Sequence, residues 1–207
     1  MPDAPFLILG LAGGIGSGKS AVAAVLGEMG FVVSDSDAGA RAVLERPEVV
    51  RELAEAFGPG VLDGDGTPNR RAIADAVFGD DAKRHTLEGI IHPRLHAERA
   101  RVVQAARAKG AAGVVIDAPL LFEAGVDAEC DAVIFVDTPR EIRLARVMQD
   151  RGWTEAELDR REAVQLPLDE KRARSHAVVA NNNERDALHA RVRAAVAAIG
   201  GLESGRA

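Results

Sequence analysis

Gly13-Gly-Ile-Gly-Ser-Gly18-Lys19-Ser20 fits the spacing G-x-x-x-x-G-K-[ST] in full. It follows Phe6-Leu-Ile-Leu-Gly-Leu11, a continuous apolar run of the kind a parallel strand needs when both its faces are buried. Val22, Val25, Leu26 and Met29 come next at i, i+3, i+4 and i+7, which predicts one apolar helix face. Gly30 stops that helix. Phe31-Val-Val33 then predicts a second short strand, running into Ser34-Asp-Ser-Asp37. Strand, glycine loop, helix and strand make a βαβ unit, which closes right-handed onto a parallel sheet. In such a loop, backbone N–H groups turn inward to cradle phosphate, and the helix start points its positive end at the same anion. Gly14, Ile15, Gly16, Ser17, Gly18, Lys19 and Ser20 are therefore the expected phosphate-binding residues. Lys19 is expected to reach the terminal phosphates, and the Ser20 hydroxyl to ligate magnesium.

Outward from this unit, parallel-sheet character returns late in the chain. Gly113-Val-Val-Ile-Asp117 and Ala132-Val-Ile-Phe-Val-Asp137 are apolar runs that each end in an acid, and Val178-Val179 predicts a last short strand. Leu188, Val192, Val196 and Ile199 predict a closing helix, with residues 200–207 as a frayed tail. Between the two parts, residues 38–109 read as a mostly helical insert, with Leu87, Ile91 and Leu95 at helical spacing and turn dipeptides in Asp63-Gly-Asp-Gly66. The fold class is α/β, with a doubly wound parallel sheet. Residues 140–174 hold nine Lys and Arg against eight acids, leaving the rest of the chain at 17 against 24. Two readings stand: a pair of solvated helices laced with ion pairs, or a flap that brings arginines to phosphates.

Composition narrows the function classes. The chain has 207 residues, enough for one domain with a small insert, and its 26 basic against 32 acidic side chains leave a net charge of −6. A chain-wide basic footprint for nucleic acid is absent, and with 3% aromatics and no Tyr there is little to stack on bases. Cys130 is the one cysteine, which excludes an internal disulfide and a Cys-rich zinc site. No apolar run approaches the ~18 residues of a membrane span, and the N-terminus carries no basic signal region. A cytoplasmic setting is expected, with no membrane or nucleic-acid partner; the oligomeric state stays open.

Several acids and histidines are candidates for chemistry. Asp117, at a strand end, fits a magnesium ligand beside Ser20, or else a strand-end cap. Asp137 competes, but Thr138-Pro139 reads as a helix start. Of Asp35 and Asp37, one is expected to serve the acceptor hydroxyl and the other to cap a helix. His92 and His96 stand at i, i+4, but Pro93 intervenes and no third zinc ligand is near. Asp63-Gly-Asp-Gly-Thr67 resembles the start of a calcium loop, yet its twelfth position is Ala74 rather than Glu.

Taken together, Gly13–Ser20, Asp35-Ser-Asp37 and Asp117-Ala-Pro-Leu-Leu-Phe-Glu123 resemble the dephospho-CoA kinase family. Asp65-Gly-Thr-Pro-Asn-Arg-Arg71, His92-Pro93, Gln165, Lys171 and Asn181 extend the likeness from about residue 6 to 199. The resemblance implies a P-loop nucleotide-binding core of residues 1–37, 110–147 and 175–207. It also implies a helical CoA-binding insert at 38–109 and a lid at 148–174. The implied reaction moves the γ-phosphoryl of ATP, with Mg²⁺, to the 3′-hydroxyl of the dephospho-CoA ribose, the last step of coenzyme A biosynthesis. Asp35 matches the catalytic acid, with Lys19 and Arg146 beside it, and Asp37 is left as a helix cap. Arg151 and Asn181 fall on the ATP side, the latter near adenine, while Asp35, Arg70 and His92 fall on the substrate side. The chain departs from the family pattern at Asp150, where an Arg is frequent and here follows at 151. It departs also at Asn69, at Ser175-His176 and at Asn183. The alternative is another P-loop small-molecule kinase, such as a nucleoside monophosphate kinase, with Arg41, Arg70 and Arg94 available for a phosphate-bearing acceptor. A nucleotide-dependent switch without an acceptor is a third reading.

Overall fold

A computed structural model describes residues 5–182 and 185–203. The chain divides into two compact units, one made of the described residues up to Asp35 and from Val103 onward, the other of Ser36–Val102. Among the described residues, no helix is long and apolar enough to cross a membrane.

In the first unit, the apolar runs become five parallel strands: β1 (Leu7–Gly13), β2 (Phe31–Asp35), β3 (Gly113–Asp117), β4 (Ala132–Asp137) and β5 (Ala177–Ala180). Their order is β2-β3-β1-β4-β5, with every neighbouring pair parallel. β1 is therefore central, which explains why its sequence is apolar without alternation. Leu9 and Leu11 on it are fully buried, as are Val115 and Ile134 on its neighbours. Helix α1 (Lys19–Glu28) covers the sheet with Val22 and Leu26. The closing helix, here named α9 (Arg185–Glu203), adds Leu188, Val192 and Ile199 to the same core. It runs past Gly200, so residues 200–203 are helical rather than frayed; residues 204–207 lie outside the described part. Asn183 also lies outside it.

The second unit is helical, as its spacing predicts. It contains α2 (Ser36–Leu44), α3 (Pro47–Phe57), α4 (Arg70–Val77) and the start of α5 (Asp81–Ala108), which carries Pro93 within it. Val43, Val49, Leu53, Val61 and Ile73 form its core, with Leu87, Ile91 and Leu95 packed against them. One local expectation is corrected. α2 starts at Ser36, directly off the strand, so Asp37 lies inside the first turn and is not the residue that precedes it. There it meets the positive helix end as a first-turn acid. At the other departure, the Asn69 side chain caps α4, its Oδ1 accepting from the Ala72 N–H at 2.9 Å. Its amide also donates to Asp63 at 2.7 Å, a bond that an Asp at 69 has no hydrogen to make. Asn69→Ala is expected to cost about 1 kcal/mol, the usual loss for an N-cap, as measured by urea unfolding. Asn69→Asp keeps the cap but sets two carboxylates against each other, and is expected to destabilise the protein at pH 7 and to recover in acid.

Candidate active site

A phosphate-binding loop works only if its peptide planes are turned the right way. Here the carbonyl oxygens are held from the protein side. The Ser17 carbonyl accepts from the Thr138 hydroxyl at 2.9 Å, from Asn181 Nδ2 at 2.8 Å and from Arg146 Nη1 at 3.1 Å. Arg146 Nη1 also donates to Gly16 O at 3.1 Å, and its Nη2 to Asn181 O at 3.2 Å. Arg143, only 4% exposed, donates to Ile15 O and to Thr138 O, each at 3.2 Å. In a trans peptide the N–H points opposite to the carbonyl. Anchoring Ile15 O and Ser17 O therefore turns the N–H groups of Gly16 and Gly18 away from the anchors. The first N–H groups of α1, at Lys19 and Ser20, have no intrahelical acceptor and extend the same donor set. Glycine is required at two points. Gly16 and Gly18 have φ of 76° and 81°, and a Cβ on Gly18 would stand 2.3 Å from Asn181 Nδ2.

The acids arrive by strand register. Asp35 ends β2 and Asp117 ends β3, and the two are aligned partners in the parallel ladder, so their backbones are about 4.8 Å apart. Asp117 is in turn aligned with Leu11 of β1, two residues before the loop. Lys19 Nζ donates to Gly13 O and Gly14 O at 3.3 and 3.4 Å. Burial is the largest influence on Lys19 and lowers its pKa; Asp117 counters it in part, and Lys171, Arg151 and Arg143 lower it again. Burial and the neighbouring cations thus leave the Lys19 charge only partly compensated by Asp117. A polyphosphate would supply further negative charge.

Beside the loop lies a small charged framework built by α6 (Arg140–Arg151), α7 (Glu155–Glu162) and α8 (Leu168–Ala173). Arg140 reaches Glu155 and Asp159 at 3.0 and 2.7 Å, and Arg143 pairs with Glu162. Arg172 binds Asp137 at 2.6 Å, which commits that acid to an ion pair. A model described as dephospho-CoA kinase matches residues 7–187. The chain belongs to the dephospho-CoA kinase family. It is 46% identical to a dephospho-CoA kinase of Deinococcus radiodurans over 188 residues, 91% of this chain and 90% of that one. With a dephospho-CoA kinase of Corynebacterium glutamicum it shares 41% identity over 194 residues, 93% of this chain and 97% of that one. A protein of known structure from Thermus thermophilus superposes with a TM-score of 0.78 at 36% identity, covering 93% of this chain and 97% of that one. Members of this family are ATP-dependent kinases, so the donor loop and the strand-end acids belong to a phosphotransferase.

Within the family frame, the expected residues fall into groups. Gly14 to Ser20, Asp35, Asp117, Arg146, Arg151 and Asn181 all belong to the first unit. Arg70 opens α4 and His92 sits on α5, both exposed in the second. The Asn181 amide nitrogen donates to the Ser17 carbonyl, which ties it to the loop. His176 Nδ1 accepts the Val133 N–H at 3.0 Å, ahead of β5.

Sequence reasoning missed Arg143 and Thr138 as supports of the loop, because both act through backbone carbonyls, which leave no side-chain pattern. It also missed what Lys171 and Glu123 do for each other. Lys171 is 2% exposed, with its Nζ 2.8 Å from Glu123 and 3.0 Å from Gln165 Oε1. Glu123 also accepts the Leu166 N–H at 3.0 Å, so it ties the segment after β3 to the approach to α8. Burial works against the Glu123 charge, but hydrogen bonds from Lys171 and from backbone N–H groups outweigh it and hold the carboxyl below its usual value. Its stabilisation is therefore complete above the unfolded value of about 4.3 and is lost as pH falls through the lowered one. Glu123→Gln is expected to cost about 3 kcal/mol at pH 7, as when a buried pair loses one partner. The gap to the parent should close in acid when denaturation is followed against pH.

Proposed function

We propose that this chain transfers the γ-phosphoryl group of ATP to the 3′-hydroxyl of the dephospho-CoA ribose, the last step of coenzyme A biosynthesis. The observation that carries the reading is the register of β2 and β3, which sets Asp35 beside Asp117 next to a carbonyl-anchored P-loop. Lys19 stabilises the negative charge that builds on the bridging oxygen as its bond to the transferred phosphoryl group breaks and ADP leaves. Arg146 acts mainly through the loop that it braces, and Asn181 serves the nucleotide in the same way. Arg151 meets the phosphates from the lid, residues 148–174. Asp35 orients the acceptor hydroxyl and takes its proton as the O–P bond forms; because the transition state is loose, orientation outweighs early deprotonation. Arg70 and His92 contact dephospho-CoA in the helical insert, residues 38–109.

Ser20 and Asp117 fit Mg²⁺. They offer one hydroxyl and one carboxylate, hard oxygen donors, and this ion completes its octahedron with phosphate oxygens and water rather than with a protein cage. When bound, it neutralises charge on the β- and γ-phosphates. The partners are ATP and dephospho-CoA, without nucleic acid, in keeping with the net charge of −6. A cytoplasmic setting suits the single cysteine.

With Mg-ATP, the purified chain is expected to convert dephospho-CoA to CoA, followed by chromatography, and to use AMP far less well. AMP as the better acceptor would hand the site to a nucleoside monophosphate kinase. Asp35→Asn is expected to lower kcat by about 10²–10⁴-fold with ATP affinity retained, while Asp37→Asn, in the first helical turn, changes turnover little. Loss of turnover at Asp37→Asn alone would reverse the two acids.

Lys19 gives a second test. Phosphate favours its ammonium, so ATP binding raises a pKa that the free protein holds low. ATP is therefore expected to bind with proton uptake at alkaline pH, and its affinity to fall as pH rises through the lowered value. Calorimetry in buffers of different ionisation enthalpy reads this uptake, which Lys19→Met should abolish.

A further inference from the structure

Of the nine cations between residues 140 and 174, most have a carboxylate partner. Arg146 gives hydrogen bonds to the loop carbonyls. Arg151 differs. It is exposed, and its described contact is the ring of Trp153, 4.8 Å from guanidinium carbon to ring centre. Among the described residues it has no carboxylate within ion-pair range. Its fork of N–H donors is therefore open to an anion, and its charge is felt at Lys19.

The placement of Trp153 follows from the end of α6. Gly152 takes the left-handed conformation, with φ 65° and ψ 21°, and donates to Met148 O at 3.1 Å. The turn sends the next residue back along the helix, where the Trp153 N–H meets Val147 O at 3.3 Å. The ring is fixed from its other neighbour as well. The Arg161 guanidinium carbon lies 4.2 Å from the ring centre, and Arg161 is itself held by Glu157 at 2.6 Å. A half-buried aromatic ring held on α7 thus offers a π-face to an exposed arginine at the end of α6.

We propose that Trp153 is a positioning residue for nucleotide binding: its ring holds the Arg151 guanidinium at the phosphate side of the P-loop. This rests on the kinase reading above, in which Arg151 meets ATP. A guanidinium stacked on a ring keeps its N–H edge free, so the contact orders a long side chain without occupying its donors. The residue acts on ATP through Arg151 and on nothing else in the site.

The test reads ATP affinity by calorimetry on the full chain without acceptor, so it stands apart from whether dephospho-CoA is the substrate. Trp153→Leu is expected to weaken ATP binding about tenfold, the scale of a cation–π contact, and Trp153→Phe to restore most of it. In an Arg151→Ala background, Trp153→Leu should cause no further loss. An undiminished loss in that background overturns the proposal, since a merely structural ring would act on both backgrounds alike. A second readout needs no change at 153. Trp153 is the only tryptophan and the chain has no tyrosine, so its emission reports one site. Saturating ATP is expected to shift that emission in the parent and not in Arg151→Ala; an equal shift in both also overturns the proposal.

Discussion

Everything in the nucleotide half depends on one carbonyl oxygen. Ser17 O accepts three donors at 2.8, 2.9 and 3.1 Å, from Asn181, Thr138 and Arg146. These come from the end of β5, from the turn after β4 and from α6, so one peptide unit gathers three separate stretches of chain. A glycine-rich loop has many conformations to lose on ordering, and each lost residue costs about 1–2 kcal/mol of backbone entropy. The loop carbonyls have partners within the protein, which fixes the peptide planes of the loop. That is preorganisation in the sense that matters for phosphate, since the N–H groups need not be turned at the moment of binding.

The same economy explains the arginines. An arginine on a carbonyl adds positive charge beneath the loop and spends only part of its fork. Arg143 and Arg146 therefore brace the loop and raise the local potential together. At Lys19, burial and the charges of Lys171, Arg151 and Arg143 press the pKa down against the pull of Asp117. An anion placed there would offset these positive charges. Across α6 and α7, by contrast, Arg140 meets Glu155 and Asp159, so charge there is cancelled. On α6, Arg140 is taken up by ion pairs, Arg146 donates to the loop carbonyls, and Arg143 does both.

How much of this the sequence carries varies with the kind of interaction. The strands, α1 and the P-loop are legible because continuous apolar runs and fixed glycine spacing are local signals. The β5 strand is legible in Val178-Val179 and extends one residue to either side. Asp35 and Asp117 are nameable as strand-end acids, but their alignment is not, because it needs the order β2-β3-β1. The cap at Asn69 and the acceptor at His176 look like departures from a family pattern until their partners, Asp63 and Val133, are known. Arg143, Thr138 and the Lys171–Glu123 pair escape entirely. Their partners lie up to 128 residues away, and no spacing rule links a side chain to a distant carbonyl.

Parallel pairing is what makes the chemistry robust to this scatter. In a parallel sheet all strands finish at the same edge, so acids that end different strands arrive together whatever chain lies between them. Asp35 and Asp117 are separated by the whole helical unit, yet the β2–β3 register alone fixes their backbones as neighbours. The insert between them is thus free to diversify without moving the acids. What it cannot change is the sheet edge. A residue lost from β3 would shift Asp117 by one position and turn its side chain to the opposite face, because successive side chains alternate. The acid would then leave both Asp35 and the lysine, with every helix still in place.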